Sequence, residues 1–476
     1  MLRRFGPLLR RNVATMAARR PVEPLLVVLG STGTGKSDLA VELATRFSGE
    51  VINADAMQLY RGLPIITNKI TPQEQRGVPH HLLGHIGLDA TPWDVEDFKR
   101  EATRVMSEIR GRGNLPILVG GTQYYVDPLL FTDVILDQVQ QQQADGGPDK
   151  SSFPILEEPT EVLLEELRKC DPVMAERWHP NDRRKIQRSL EIFLHTGKPA
   201  SQFYDEQRER KAAAQEDGAA GAPWEKLLFW VDADKEVLRE RLDGRVDKML
   251  DAGLLAEVRE LYDFKRDMAA KGAQLDMTKG IWQSIGYKQF EPYLAALDRG
   301  EDVPADDLAA LKARAVEDMK TATRRYANYQ TRWIRLKQIR RLREEGPAAL
   351  RSLYLVDSTD AAKFHEHVVA PAADVTARFL AGEPCPDPAT LSERAREVLT
   401  VAVEPPPPET PVRRTCELCQ TVLVTEQAWQ RHVKGASHRR AMKKKKKLAL
   451  VPLKETGQED SREATPPSSP DIGSLF

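Results

Sequence analysis

The chain is 476 residues long, 41% hydrophobic and 30% charged, with a formal net charge of −1. That length exceeds one compact core and calls for two or three modules, while the apolar content excludes a wholly disordered chain. Four cysteines exclude a disulfide scaffold, and no run approaches the ~18 uninterrupted apolar residues of a spanning helix, so no membrane association is expected.

The near-neutral total conceals segregation. Residues 1–22 hold six arginines and no acid, residues 412–447 hold eleven basic residues against Glu417 and Glu426, and residues 23–411 sum to −13. Within that acidic body, Lys320 to Arg343 contains nine basic residues and no acid. Leu2, Phe5, Leu8, Leu9 and Val13 alternate with the leading arginines, so residues 1–22 read as a mitochondrial targeting leader, with Met16 as a second start. Mitochondrion and cytoplasm are the expected locations.

Leu25 to Leu29 is a short apolar run, read as a buried parallel strand, followed by a glycine-rich turn and a helical pattern from Lys36 to Phe47. Val51 to Ala54 is a second strand ending at Asp55, and Pro116 to Val119 a third ending at Gly120-Gly121. Strands alternating with helices predict an α/β fold with a parallel sheet. Residues 132–224 read as a helical insertion containing a Gln-, Gly- and Pro-rich segment, 134–159, expected to be disordered. Leu227 to Val231 resumes the sheet and helices dominate 235–345, so the core comprises 24–131 and 225–357. Residues 358–411 form an extension ending in a Pro-rich linker, 412–440 a small module, and 441–476 a tail that is first basic, then Ser- and Pro-rich.

Gly30-Ser31-Thr32-Gly33-Thr34-Gly35-Lys36-Ser37 satisfies G-x-x-x-x-G-K-[ST] between a strand and a helix. Such a loop points successive N–H groups at a phosphate, Lys36 adds a charge, and Ser37 Oγ is placed to hold Mg²⁺. An ATPase or GTPase would carry an apolar strand ending in an aspartate for Mg²⁺, but Leu118-Val119 leads into Gly120-Gly121-Thr122 instead; the available aspartate is Asp55. The loop therefore admits a small-molecule kinase or another transferase with a diphosphate donor. A non-enzymatic RNA-binding protein is the remaining alternative, resting on the basic run and the terminal module.

Six ordered blocks discriminate: Asp55-Ala56-Met57-Gln58-Leu59-Tyr60-Arg61-Gly62-Leu63 with Thr67-Asn68-Lys69; Gly120-Gly121-Thr122-Gln123-Tyr124-Tyr125; His179-Pro180-Asn181-Asp182-Arg183-Arg184; Arg245-Val246-Asp247-Lys248 with Glu257; Ile285-Gly286-Tyr287-Lys288; and Arg324-Arg325-Tyr326-Ala327 with Gln330 and Trp333. Together they resemble the tRNA dimethylallyltransferase family, in its eukaryotic form, over residues 24–345. The resemblance implies a P-loop NTPase-like sheet with an inserted helical tRNA-binding subdomain. It also implies transfer of a dimethylallyl group from its diphosphate to N6 of the adenine 3′ of the anticodon. It makes Asp55 the proton acceptor, and Ser37 with Mg²⁺ and Arg245 the groups that meet the leaving diphosphate. It assigns Gln58, Thr122, Gln123, Gln187, Arg188, Tyr287, Lys288, Arg324 and Arg325 to tRNA. The anticodon stem-loop and dimethylallyl diphosphate are the implied partners, and a monomer is expected. The run Lys320 to Arg343 is expected to form an electrostatic track for RNA.

Cys416-x2-Cys419-x12-His432-x5-His438 has the ligand spacing of a structural zinc finger, with four ligands and no open position. Leu423 and Trp429 are expected to form its apolar core. Arg439, Arg440 and Lys443 to Lys447 follow, a run suited to nuclear localisation, to RNA backbone or to a solubilising tail.

Overall fold

A computed structural model describes residues 19–131, 153–206, 209, 225–300, 303–403, 410–419 and 421–449. The leader up to Ala18, residues 132–152 and the chain beyond Ala449 lie outside the described residues. The chain divides into two compact units, one formed by the described residues up to Phe131 with those from Glu225 to Val403, the other by the helical insertion and the terminal module.

The first unit opens with β1 (Leu25–Gly30), α1 (Lys36–Arg46), β2 (Gly49–Asn53), β3 (His80–His81), α2 (Val95–Gly111), β4 (Leu115–Val119) and α3 (Gln123–Leu130). The insertion contributes α4 (Thr160–Cys170), α5 (Pro172–Arg177) and α6 (Arg183–Thr196) to the second unit. The first unit resumes with β5 (Lys226–Asp232), α7 (Lys235–Asp251), α8 (Leu254–Ala270), α9 (Tyr287–Leu297), α10 (Ala305–Trp333), α11 (Ile339–Glu345), β6 (Leu353–Asp357), α12 (Ala370–Ala381) and α13 (Glu393–Val403).

Six parallel strands run in the order β3-β2-β4-β1-β5-β6. The central strands are apolar at every position because helices cover both faces. Leu25, Val27, Leu29, Leu228 and Trp230 point to one face with Phe98, Val105 and Ile109 of α2. Leu26, Val28, Phe229 and Val231 point to the other, where Leu39 and Leu43 of α1 meet Val369 and Val375. These last residues belong to the stretch read as an extension. Their apolar side chains close the second face, so the first unit runs on to Val403.

The helical part of the second unit has its own core of Leu163, Leu167, Met174, Ile186 and Leu190. Leu156 joins it from a single turn at Pro154–Glu157, so the last residues of the segment expected to be disordered are ordered by apolar burial. The terminal module pairs β7 (Pro411–Cys416) antiparallel with β8 (Thr421–Thr425), followed by α14 (Glu426–Lys434) and α15 (Ala436–Ala449). The described part of the tail is thus helical through the lysine run. Among the described residues, no helix is long and apolar enough to cross a membrane.

Candidate active site

Every parallel strand ends on the same edge of the sheet, and that edge carries the candidate site. β1 ends at Gly30, where a β-carbon would lie 2.3 Å from the Val231 carbonyl oxygen, so only glycine lets the chain turn beside β5 (φ +145°). The loop then folds on itself. Thr34 Oγ1 and Lys36 Nζ both donate to the Ser31 carbonyl, at 2.9 and 2.7 Å. Arg245 of α7 donates from Nη1 to Thr32 Oγ1 at 2.8 Å.

Lys36 and Arg245 are two half-buried cations at one loop. Burial, with Arg245 adding repulsion, lowers the Lys36 ammonium to about 8 against the pull of Asp55; burial likewise lowers Arg245 to about 10. Ser31 Oγ and Arg245 Nε are buried without a hydrogen-bond partner among the described residues. Two desolvated cations, unspent donors and a loop of inward amides fit an anion of diphosphate size. Ser37, at the first turn of α1, offers a hydroxyl for a cation bridging such an anion.

Asp55 follows β2. Asn53 Oδ1 accepts from its backbone N–H at 3.1 Å, and Asp55 Oδ1 accepts from Met57 N at 3.0 Å. Burial raises its carboxyl, partly offset by the Met57 and Gln58 amides and by Lys36. It lines one cleft with Thr32, Arg245, Gln58 and Tyr326, and the same cleft has an apolar wall of Met57, Ile66, Met249, Ile285 and Met319.

The residues read as tRNA contacts separate into groups. Gln58 lines the cleft and donates from Nε2 to the Asn68 carbonyl at 3.0 Å, and Lys288 is exposed and donates to Gln283, another lining residue. Thr122 is buried, and its Oγ1 accepts from Ala56 N at 3.0 Å, so it fixes the turn carrying Asp55. Gln123 is buried against Gln338 at 2.7 Å. Tyr287 is fully buried, edge-on to Trp282, because its position on α9 faces the core. All three are buried in this arrangement. Arg324 is paired with Asp243 of α7, while Arg325 is exposed. Gln187 and Arg188 lie on α6 in the second unit, with Arg188 paired to Glu191 at 2.8 Å.

Other contributors come from distant segments. Gln330 of α10 accepts from Thr32 N at 2.8 Å and donates to the Gly121 carbonyl at 3.1 Å, lashing the phosphate loop to the turn after β4. Glu257 of α8 accepts from Ile65 N and Ile66 N at 2.9 and 2.7 Å and anchors the loop that brings Thr67 and Asn68 to the cleft. Both residues stand in the sequence blocks, but their partners are about 190 to 300 positions away. The apolar wall has no local signature, since its methionines and isoleucines come from separate helices and loops.

In the terminal module, ligand atoms of Cys416, Cys419, His432 and His438 all lie within 4.8 Å of one another. His438 presents Nδ1, 3.5 Å from both sulfurs and 3.2 Å from His432 Nε2. Leu423 and Trp429 are only half-buried and Cys416 alone is buried among the described residues of the module, so apolar packing there is slight.

The family profile described as IPP transferase matches residues 58–337. A tRNA dimethylallyltransferase of Schizosaccharomyces pombe is 37% identical over 442 residues, covering 90% of this chain and 97% of the relative. Its Mus musculus counterpart is 35% identical over 449 residues, covering 92% and 90%. A crystal structure of a eukaryotic dimethylallyltransferase acting on tRNA superposes with a TM-score of 0.73 at 30% identity, covering 90% of this chain and 98% of that one.

Proposed function

The chain belongs to the IPP transferase family, and on that premise we propose that it transfers a dimethylallyl group from dimethylallyl diphosphate to N6 of the adenine immediately 3′ of the anticodon in tRNA, releasing diphosphate. The observation that carries this reading is the single cleft in which a half-buried carboxylate, a phosphate loop and an apolar wall meet. The C1–O bond to the diphosphate breaks, the N6–C1 bond forms, and N6 gives up a proton.

An exocyclic amine shares its lone pair with the ring, so removing its proton as the bond forms helps the attack. Asp55 is the acceptor at hand, and its raised carboxyl makes it a better base than an exposed aspartate. Charge grows on the leaving diphosphate, where the loop amides, Lys36 and Arg245 are already in place and need no reorganisation. Ser37 would hold Mg²⁺ there, which would supply further charge neutralisation. The apolar wall of Met57, Ile66, Met249, Ile285 and Met319 suits a short branched hydrocarbon and excludes water from the allylic carbon. The phosphate loop thus serves a leaving group instead of activating a γ-phosphate.

An adenine stacked in a loop must leave its stack to reach this cleft, at about a few kcal/mol. Gln58 and Lys288 lie on the cleft side and are the side chains placed to meet it, with Arg325 exposed on α10. The four-ligand cluster fits a structural Zn²⁺, and the arginine-rich leader fits delivery to mitochondria. With dimethylallyl diphosphate and an anticodon stem-loop, Asp55→Asn is expected to slow product formation by ~10²–10⁴-fold while retaining pyrophosphate binding. Turnover within a few fold of wild type would remove Asp55 from the proton transfer.

A further inference from the structure

The carboxyl edge of the sheet has a second cleft. Gly30 of β1 stands opposite Val231 of β5, so β5 delivers Asp232 next to the phosphate loop, on the side away from β4. The cleft there is lined by Asp232, Lys235, Arg332, Arg335 and Arg394, with Leu238 and Leu336 beside them. It abuts the loop. Leu238 lies where a β-carbon on Gly33 would meet it at 3.3 Å, and Gln330, which holds Thr32 N, directly precedes the lining residue Thr331.

Four cations here face the carboxylate of Asp232, with that of Asp234 also near Arg394. Arg394 donates from Nε and Nη2 to Asp232 Oδ2 at 2.9 and 2.7 Å, and from Nη2 to the Ala233 carbonyl at 2.7 Å, which fixes its guanidinium. Arg335 reaches the same carboxylate only at 3.9 Å. Lys235 and Arg332 have no hydrogen bond or ion pair among the described residues. Much of the remaining basic run is neutralised: Lys320 by Asp247, Arg324 by Asp243 and Arg340 by Glu344. Surplus positive charge is therefore concentrated in a concavity beside the phosphate loop, with Leu238 packed between the two.

We propose that this cleft is a second phosphate subsite, which holds the prenyl diphosphate on its way to the loop and the released diphosphate on its way out. Planar guanidinium groups match phosphate oxygens in a way that scattered surface lysines do not. RNA phosphates share that chemistry, but Leu336, 58% exposed between two of the arginines in sequence, offers an apolar contact that a short alkyl chain can use and a ribose-phosphate backbone cannot. The alkyl part rests on the transferase reading, whereas the phosphate part stands on the residues alone.

Calorimetric titration of the full chain with inorganic pyrophosphate tests the second site. Wild type is expected to show two sites. Lys36→Ala should lose the loop site and keep the cleft, and Arg332→Gln with Arg335→Gln should keep the loop site and weaken the other by about tenfold per arginine. Arg332→Gln alone, at an exposed and unpaired side chain, guards against a folding defect. A single site in wild type, or two sites untouched in the double variant, would overturn the proposal. Loss of stem-loop affinity with pyrophosphate binding intact would assign the cleft to RNA instead. If the transferase reading itself fails, wild type yields no prenylated RNA, whatever the pyrophosphate titration shows.

Discussion

At Lys36, burial and a neighbouring guanidinium have already removed most of the preference for the charged form, lowering it to about 8. The group is protonated below that value and neutral above it. A bound diphosphate restores the preference for charge, so binding at pH 8–9 must take up a proton. Pyrophosphate affinity at the loop site is therefore expected to fall as the pH rises through about 8, with proton uptake measurable by calorimetry in buffers of different ionisation enthalpy. A loop affinity that stays constant through that pH, with no proton taken up, would contradict that account. The loop, Lys36 and Asp55 were legible in the sequence because their chemistry is contiguous: eight residues and a strand end carry it. Tyr287 and Gln123 were not, because burial depends on what packs against them, and Trp282 and Gln338 reach them from other elements.

Helix geometry divides the basic run Lys320 to Arg343. On α10, Lys320 and Arg324 face the aspartates of α7, whereas Ala327, Gln330 and Trp333 turn inward. The wide turn Ile334–Gln338 then buries its first and last residues and leaves Arg335, Leu336 and Lys337 outside. A stretch of one sign in sequence thus becomes ion pairs, a core seam and a cleft wall. Gln330 sits at the seam. A β-carbon on Gly121 would come within 2.0 Å of Gln330 Nε2 and push that amide off the Gly121 carbonyl. Gln330→Ala removes the partners of Thr32 N and the Gly121 carbonyl, a loss of about 1–3 kcal/mol for each buried group left unpaired. Pyrophosphate affinity should drop on the order of tenfold or more, with its decline through about pH 8 retained; unchanged affinity would mean the loop holds its shape unaided.

Across the molecule, stability is unevenly sourced. The first unit has two apolar layers on a six-stranded sheet, while the terminal module has little more than one buried thiol at its ligand cluster. Cys416→Ser or a strong chelator should therefore unfold the module, seen as loss of dispersed amide resonances, and leave the melting of the sheet unit unchanged. Retained module structure without metal would show that the half-buried Leu423 and Trp429 suffice. The sheet's architecture was legible as alternating strands and helices. Its true extent was not, because Val369 and Val375 reveal their place only against α1.

The strand order also sets a timetable for synthesis. β1 lies between β4 and β5, yet Val119 closes β4 about a hundred residues before Lys226 opens β5. A ribosome adding about 5–20 residues per second leaves one edge of β1 unpaired for roughly 5–20 s while the insertion emerges. The insertion has a core of its own and can condense during that interval. The phosphate loop cannot finish until Phe364, which packs against Gly35, follows β6 out of the exit tunnel. A nascent chain stopped between β4 and β5 would present a half-built sheet with an open apolar edge, a form for chaperones to hold or proteases to clear.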